Sequence, residues 1–298
     1  MKPIILGLSL TLLLIMLVST ARAEHYEVYL LAGQSNMDGR GAKKDLVGKL
    51  TKWAKPQKDV LIRFSAGGLH RKVMVNSGFL PLEPGYSGSL NNKSGTLPTD
   101  TFGPEVSFGR TLADGQPGKH IALIKFCEGG TSLQKDWDPN DKEKLYAKFI
   151  EFVKSSLKEL KDRDDTYEIR GMIWHQGESD TSLKTEEYQT LLTDLIKKVR
   201  ADLVVKDIPF VVGEVYDNRK RDMVRAAQKA TAKEVPRVYF ISAQNLKTLD
   251  SGTHFDAASQ IELGKRFSEP LLKLPAGKKK LNKKPVSPSF GASGPFSS

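Results

Sequence analysis

The residues whose types could do chemistry lie in four short polar clusters, each of which follows an apolar run. The first is Gly33 to Met37 (Gly-Gln-Ser-Asn-Met), which presents the hydroxyl of Ser35 just past the strand-like run Tyr26 to Ala32. The other three are Gly129 to Ser132, Trp174 to Asp180, and Gly252 to Phe255. Reactive groups of open α/β sheets gather beyond the carboxyl ends of the strands. Ser35 is therefore a candidate nucleophile.

Acyl transfer by a serine needs a base that takes the hydroxyl proton and a group that orients this base. Of the five histidines, His254 stands in a predicted turn with a carboxylate on each side, Asp250 before it and Asp256 after it. Asp256 is better explained as the N-cap of a helix that begins at Ala257, because its oxygen can accept from the free amides of the first turn. Asp250 is therefore the predicted partner of His254.

Other kinds of site fit the sequence less well. The segment around Ser35 lacks the second glycine of a Gly-x-Ser-x-Gly nucleophile elbow. No cysteine or histidine pairing has the spacing of metal ligands, and His175 with Glu178 is a weak pair at best. The single cysteine, Cys127, ends an apolar run and is interpreted as a buried small residue. We expect neither a metal nor a cofactor.

Strand-like and helix-like segments alternate along the chain about five times, which predicts βαβ units and a parallel sheet with helices on both faces. Strands are predicted at 26–32, 120–126, 169–174, 209–215 and 237–241, with 60–64 as a further short candidate. Helices are predicted at 103–112, 145–160, 188–203, 221–233 and 257–272.

Together, the four clusters resemble the ordered blocks of the SGNH (GDSL-like) hydrolase superfamily. They are most similar to its branch of sialate O-acetylesterase-like and family 6 carbohydrate esterases, over about residues 24–274. The resemblance implies a three-layer α/β/α sandwich with a central, mostly parallel five-stranded sheet of flavodoxin-like type. It also implies a metal-independent serine esterase that acts on O-acetylated carbohydrates.

The same resemblance implies roles for particular residues. Ser35 matches the nucleophile and His254 the general base. The oxyanion donors are matched by the Ser35 amide, the Gly130 amide and the Gln176 side chain. Glu178 matches an acid whose work is to hold neighbouring loops, and Asn36 is a further supporting residue.

One departure from the family concerns the acid of the triad. The family usually places this acid three residues before the histidine, where the chain has Ser251. Asp250 lies four residues before His254. Either the turn is one residue longer, or the acid is weakened or comes from elsewhere in the chain.

The two ends of the chain differ in composition from its middle. Residues 1–23 contain Lys2, an apolar run and Ala21-Arg22-Ala23, the pattern of a secretory signal peptide that is cleaved near Ala23. This predicts a secreted or periplasmic protein without stable membrane insertion after cleavage. Residues 275–298 are rich in Lys, Pro, Ser and Gly and are predicted to form a disordered tail.

The predicted esterase domain, 24–274, contains an irregular stretch at 65–103. Gly, Pro, Ser and Asn dominate this stretch, which we interpret as an insertion loop. Long loops of this kind are usually functional or partly disordered. We expect the insertion to border the active site, with Tyr86 and Phe102 available to line a groove.

The formal net charge of +11 does not indicate a nucleic-acid partner. Seven of the 46 basic residues lie in the first 23 residues or after residue 274, which leaves 39 against 35 acidic residues. A nearly balanced domain without a basic stripe lacks the electrostatic footprint of nucleic-acid binding. The expected partner is an O-acetylated carbohydrate. An inactive carbohydrate-binding protein on the same fold remains the alternative, and a lipase-like or thioesterase activity is a third hypothesis.

Overall fold

The computed structural model describes residues 23–66, 75–88, 96–250 and 252–274. All of the predicted signal peptide except Ala23, and the whole predicted tail, lie outside these ranges. The strands are β1 (His25–Gly33), β2 (Gly41–Ala42), β3 (Gln57–Ala66), β4 (Val75–Asn76), β5 (Leu80–Leu82), β6 (Thr101–Phe102), β7 (His120–Cys127), β8 (Thr166–His175), β9 (Phe210–Gly213) and β10 (Val238–Ile241).

The α-helices are α1 (Ser35–Asp38), α2 (Glu105–Gly115), α3 (Leu133–Asp136), α4 (Leu145–Asp162), α5 (Thr185–Asp202), α6 (Asp222–Glu234) and α7 (Ala257–Leu272). Two 3₁₀ helices, Lys43–Asp45 and Gly48–Ala54, precede β3. In the described ranges, no helix is both long and apolar enough to span a bilayer.

The strands of the main sheet follow the order β10-β9-β8-β1-β7-β3-β4 in the described part of the chain, and β5 also pairs with β3. The pairs from β10 to β3 are parallel, whereas β4 and β5 run antiparallel to β3. This confirms the predicted fold class. The sheet has six parallel strands rather than five, because the short candidate at 60–64 forms the middle of β3 and pairs with β7.

The central strand β1 shows how the sequence builds three layers. Val28, Leu30 and Ala32 pack into one apolar cluster, together with residues of α4, α5 and α6. Tyr29 and Leu31 pack into a second cluster, together with residues of α2 and α7. Successive side chains of a strand point to opposite faces, so a strand that is covered on both faces is a continuous apolar run. The site at the end of β1 is therefore positioned by a strand that is covered on both faces.

Helices α2 and α7 lie very close together on one face of the sheet. A Cβ at Gly264 would lie 2.2 Å from the carbonyl oxygen of Pro104 and 2.2 Å from Oγ of Ser107. The Ser107 hydroxyl donates to the carbonyl of Ile261 at 2.6 Å. This close contact anchors α7, whose first residues follow the turn that carries His254.

The described parts of the 65–103 stretch pack inward beside the site and do not form an open groove. Tyr86 and Phe102 are buried, so the expectation that they line a groove is wrong. The reason is local packing: Phe102 joins an apolar cluster with Trp53, and the Tyr86 hydroxyl donates to the carbonyl of Pro81 at 3.1 Å. Residues 67–74 and 89–95 of this stretch lie outside the described ranges.

Candidate active site

Ser35 is positioned by the last residue of β1, Gly33. This glycine has a φ of +149°, and a Cβ on it would lie 2.1 Å from the carbonyl oxygen of His175 in β8. The amide of Gln34 donates to the same carbonyl at 3.0 Å. The chain then turns into α1, whose first residue is Ser35. The two central strands thus hold the nucleophile at their carboxyl ends.

His254 reaches Ser35 from the turn before α7. Its Nε2 lies 3.1 Å from Oγ of Ser35, and its Nδ1 lies 2.7 Å from Oδ2 of Asp250. An ionised carboxylate has no proton to give, so Nδ1 donates to Asp250 and Nε2 is left to accept from the Ser35 hydroxyl. The structure brings the three predicted catalytic residues into one chain of hydrogen bonds.

Local donors keep the Asp250 carboxylate ionised. Partial burial raises its pKa, but the amides of His254 and Thr253 together with the imidazole of His254 more than offset this effect, and the pKa of Asp250 falls below its ordinary value. These amides donate to Oδ1 at 3.0 and 2.8 Å. A carboxylate held in this way can orient an imidazole and stabilise its protonated form.

Gly252 accommodates the four-residue spacing between Asp250 and His254. Its φ of +94° is a conformation that glycine adopts without strain, and its amide donates to the carbonyl of Asp250 at 2.7 Å. The amide of Leu249 donates to the carbonyl of His254 at 2.7 Å and closes the turn. Ser251 lies outside the described residues. Asp250 and His254 therefore lie within hydrogen-bond distance of each other at this spacing.

Asn36 connects the nucleophile to the histidine turn. Its Nδ2 donates to the carbonyl of Thr253 at 2.8 Å and to Oε1 of Glu178 at 2.6 Å. Its Oδ1 accepts from the amide of Phe255 at 3.0 Å. Asn36 and Glu178 therefore lie where the sequence places supporting residues, and both act on neighbouring loops.

Two glycines open a space beside the nucleophile. A Cβ at Gly129 would lie 3.3 Å from Cβ of Ser35. Gly130 follows with a φ of +78°, and a Cβ on it would meet nothing within 4 Å. No acceptor in the described part of the chain contacts the amide of Gly130 or of Ser35. Two backbone N–H groups of this kind are suitable donors for an oxyanion.

The side chain of Gln176 is engaged elsewhere. Its Nε2 donates to the carbonyl of Thr131 at 3.0 Å and is also within hydrogen-bond distance of Oδ2 of Asp180 and Oε1 of Gln34. Its Oε1 accepts from the hydroxyl of Tyr188 at 3.0 Å. An amide has only two N–H hydrogens. These contacts join Gln176 to neighbouring loops, and its role as an oxyanion donor stays a prediction.

Asp180 is a structural residue of the site to which the sequence analysis assigned no role. Its Oδ1 accepts from the Ser132 hydroxyl at 2.8 Å, and its Oδ2 accepts from the amide of Leu133 at 2.9 Å and from Gln176. Ser132 also caps α3 through the amide of Lys135. Asp180 thus joins the second and third polar clusters. The only feature of the sequence that points to Asp180 is its position at the end of the third polar cluster, Trp174 to Asp180.

Arg40 places its guanidinium cation beside Gly129. A Cβ at Gly129 would lie 2.7 Å from its Nη2, on the side that also contacts Ser35. Its Nη1 is held by Oδ2 of Asp38 at 2.7 Å and by the carbonyl of Gly39 at 2.8 Å. Nη2 has no acceptor among the described residues. The guanidinium is therefore held in place while one nitrogen is left for a ligand.

The buried histidine of the third cluster is neutral. Burial lowers the pKa of His175 and outweighs the opposing effects of the Glu178 carboxylate and the Glu214 carbonyl. Its Nε2 lies 3.2 Å from that carbonyl. His175 therefore packs beneath the site without contacting Ser35.

Within the described ranges, one group of residues has ligand atoms close enough for a metal ion: His25, Glu27 and Glu168, within 4.8 Å of one another. It lies at the amino-terminal ends of β1 and β8, the edge of the sheet opposite Ser35. Both oxygens of Glu27 are already paired, with Lys119 at 3.0 Å and Arg170 at 2.7 Å. This group is an ion-pair network remote from the triad.

Cys127 is a free, buried residue at the end of β7. Burial raises the pKa of its thiol well above the ordinary value, so it is held as a neutral thiol. The sequence interpretation of Cys127 as a small buried residue agrees with this environment.

Comparison with known proteins places this site in a family. Residues 25–273 match the family described as "Carbohydrate esterase, sialic acid-specific acetylesterase". A probable carbohydrate esterase of Arabidopsis thaliana is 25% identical over 257 residues, covering 83% of this chain and 90% of that protein. A crystal structure from Arabidopsis thaliana superimposes with a TM-score of 0.65 at 21% identity, covering 84% of this chain and 98% of that one.

A second solved structure shares the fold. It is a carbohydrate acetylesterase from Xanthomonas citri, with a TM-score of 0.57 at 16% identity, covering 81% of this chain and 54% of that one. Together with the family match over nearly the whole described chain, it agrees with the α/β fold of this protein. The protein therefore belongs to the family of sialic acid-specific acetylesterases among the carbohydrate esterases and is a carboxylic ester hydrolase.

Proposed function

We propose that this protein is an exported serine esterase that removes O-acetyl groups from carbohydrates. The observation that carries the proposal is the continuous chain from Oγ of Ser35 through His254 to Asp250, with contacts of 3.1 and 2.7 Å. This is the arrangement of a nucleophile, a base and the group that orients the base. The amides of Ser35 and Gly130, which no acceptor contacts among the described residues, are suited to be the donors that acyl transfer requires.

The first half of the proposed reaction forms an acetyl-enzyme. The hydroxyl oxygen of Ser35 bonds to the acetyl carbonyl carbon while its proton passes to Nε2 of His254. The carbonyl oxygen becomes an oxyanion that accepts from the amides of Ser35 and Gly130. When the tetrahedral intermediate collapses, the bond to the sugar oxygen breaks, and His254 returns the proton to that oxygen. The sugar leaves with a free hydroxyl.

The second half releases acetate. His254 takes a proton from a water molecule whose oxygen attacks the acetyl-Ser35 carbonyl carbon. The bond to the Ser35 oxygen then breaks, and this oxygen recovers its proton from His254. Asp250 remains ionised throughout and stabilises the imidazolium in both halves.

Arg40 favours a sugar that carries a carboxylate. Its Nη2 lies beside Gly129, which contacts Ser35, and this nitrogen has no acceptor among the described residues. Guanidinium groups bind carboxylates through paired, charge-assisted hydrogen bonds. We therefore propose an O-acetylated acidic sugar, of which sialate is one, in preference to neutral acetylxylan.

The test compares acetate release from p-nitrophenyl acetate, acetylxylan and an O-acetylated sialoglycan. Wild type should hydrolyse all esters that it binds, and Ser35→Ala should lose this activity. Arg40→Met should raise KM for the sialoglycan about tenfold or more, the size of one lost charged contact, and leave p-nitrophenyl acetate nearly unchanged. Equal loss on both substrates would contradict the role of Arg40. Activity in Ser35→Ala would contradict the mechanism.

Export is proposed from residues 1–23 alone. Expression of the full chain in a bacterial host should yield a mature protein that begins near Glu24 in the periplasm or medium. An intact amino terminus in the cytoplasm would contradict export without affecting the proposed chemistry.

The alternative of an inactive carbohydrate-binding protein was based on the displaced acid. Asp250 nevertheless contacts His254 at 2.7 Å, so no structural observation now favours the alternative. Glycan binding by wild type without acetate release would support it.

A further inference from the structure

Arg221 is a buried residue that binds the segment between Asp250 and His254. It precedes α6 and is 5% exposed. Its Nη1 donates to the carbonyl of Gly252 at 2.8 Å, and its Nη2 donates to Oγ1 of Thr253 at 3.3 Å. A single planar group therefore contacts two consecutive residues of the turn that sets the distance between the acid and the base.

The same guanidinium connects this turn to the loop that follows β9. Nη1 also lies 3.3 Å from the carbonyl of Tyr216. Gly252 packs against this loop: a Cβ on it would lie 3.0 Å from Cβ of Asn218 and 3.4 Å from the Tyr216 ring. The turn is thereby fixed to β9, a strand of the parallel sheet.

Asn36 holds the turn from another direction. Its Nδ2 donates to the carbonyl of Thr253, whose hydroxyl contacts Arg221. The backbone carbonyls of Gly252 and Thr253 thus each accept a hydrogen bond from a residue outside the turn. Two independent attachments determine where His254 lies relative to Ser35.

The charge of Arg221 is retained although its surroundings oppose it. Burial lowers the pKa of Arg221, and the carboxylates of Glu178 and Asp250 only partly counteract this effect. Within the described ranges, no carboxylate lies within ion-pair distance of Arg221. A buried charge is costly, and an apolar side chain would fill the same space at lower cost. What the arginine supplies is a rigid fork of donors aimed at the turn.

We propose that Arg221 is a positioning residue for the catalytic acid and base. By holding Gly252 and Thr253 together, it keeps the turn in the conformation in which Nε2 of His254 meets Ser35 and Nδ1 meets Asp250. Arg221 touches neither the substrate nor the reacting atoms. The inference rests on the proposed serine mechanism and adds to it a residue for which no motif gives a signal.

The test compares purified wild type with Arg221→Met, Arg221→Lys and the matched control Arg225→Met. Arg225 lies one turn further along α6 and pairs with Glu214, Asp217 and Asp222 instead. Three quantities are measured: kcat and KM on p-nitrophenyl acetate, the melting temperature, and the low-field proton NMR signal of the hydrogen bond between His254 and Asp250. The NMR signal does not depend on turnover.

Arg221→Met should lower kcat on the order of 10²-fold, the loss expected from a small misplacement of a catalytic group, with little change in KM. It should also weaken the low-field signal. Arg221→Lys should show a smaller loss, about tenfold, because an ammonium keeps the charge and can still donate but lacks the rigid planar fork that spans the two acceptors. Arg225→Met should keep the kcat and the signal of wild type.

Wild-type kcat and an intact low-field signal in a folded Arg221→Met variant would overturn the inference. If that variant does not fold, Arg221→Lys decides, and wild-type kcat in it would overturn the inference. A wild type that hydrolyses no ester would contradict the proposed function instead, and the NMR comparison would still decide the role of Arg221.

Discussion

The side-chain amide of Asn36 donates to the carbonyl oxygen of Thr253 at 2.8 Å, across 217 residues of sequence. Asn36 directly follows Ser35, the proposed nucleophile, and Thr253 directly precedes His254, the proposed base. One hydrogen bond therefore joins the two backbone segments whose relative position decides whether proton transfer can occur. The contact explains why the first and last polar clusters of the chain both contain residues that do no chemistry.

Asn36→Ala should lower kcat more than it changes KM. The substitution leaves the Thr253 carbonyl and the Phe255 amide without these partners and removes a donor from Glu178, at about 1–3 kcal/mol of unfolding free energy per unsatisfied buried group. Steady-state kinetics and chemical denaturation measure the two effects. Asn140→Ala, which removes an exposed asparagine, is the control and should change neither. Wild-type kcat in Asn36→Ala would show that the contact is dispensable.

Asp250→Asn should reduce kcat by about 10² to 10⁴-fold, as expected when the group that holds the imidazole tautomer is lost. The matched control is Asp256→Asn. Asp256 accepts from the amide of Ser259 at 2.8 Å and caps α7, a role that asparagine also fills well. The control should retain most of its activity. The reverse result, with activity lost only in Asp256→Asn, would show that the carboxylate that orients His254 is Asp256 and not Asp250.

The lowered pKa of Asp250 predicts a pH dependence of stability. A carboxyl whose pKa is lower in the folded state than in the unfolded state stabilises the fold above its unfolded value, about 3.9, and this contribution disappears as the pH falls through the folded pKa. Melting temperatures of wild type and Asp250→Asn should therefore differ most at neutral pH and converge in acid. A gap that widens on acidification would contradict the assignment.

Gly33→Ala should be severely destabilising. The added Cβ would lie 2.1 Å from a backbone oxygen of His175, and neither strand can move without breaking the sheet. We expect a loss of about 3 kcal/mol or more, from overpacking together with backbone strain. Gly48→Ala is the control, because Gly48 has a φ of +58° but open space around it. Denaturant melts of both variants separate the clash from the strain, and equal losses would contradict the close approach.

The sequence points to the residues of the proposed triad more clearly than to the residues that position them. Ser35, His254 and Asp250 could be predicted because each has a chemical type and a place at the end of a strand or before a helix. Gln176 stays a prediction as an oxyanion donor, because its Nε2 also donates to the carbonyl of Thr131, a contact across 45 residues that the motif does not reveal. Arg221 could not be foreseen, since the two acceptors that it contacts in the histidine turn, a backbone carbonyl and a hydroxyl, lie 31 and 32 residues away.

The fold, too, could be predicted from the sequence in some elements and not in others. Helix α7 was predicted with the bounds that it has, because Asp256 caps it and its apolar spacing is regular. The sixth parallel strand, β3, was only a short candidate, because charged and apolar residues mix along it. Tyr86 and Phe102 were expected at a groove and are buried instead, because turn-rich composition does not reveal which side an insertion packs against.

The proposed mechanism requires that Ser35 carries the acetyl group during turnover. The most direct measurement mixes the enzyme with p-nitrophenyl acetate, quenches it in acid within the first turnovers, and locates the acetyl group by peptide mass spectrometry. This mechanism predicts one acetyl group on the peptide that contains Ser35. It predicts none in Ser35→Ala, which should also release no acetate. Turnover without acetylation of Ser35, or with undiminished acetate release by Ser35→Ala, would contradict it.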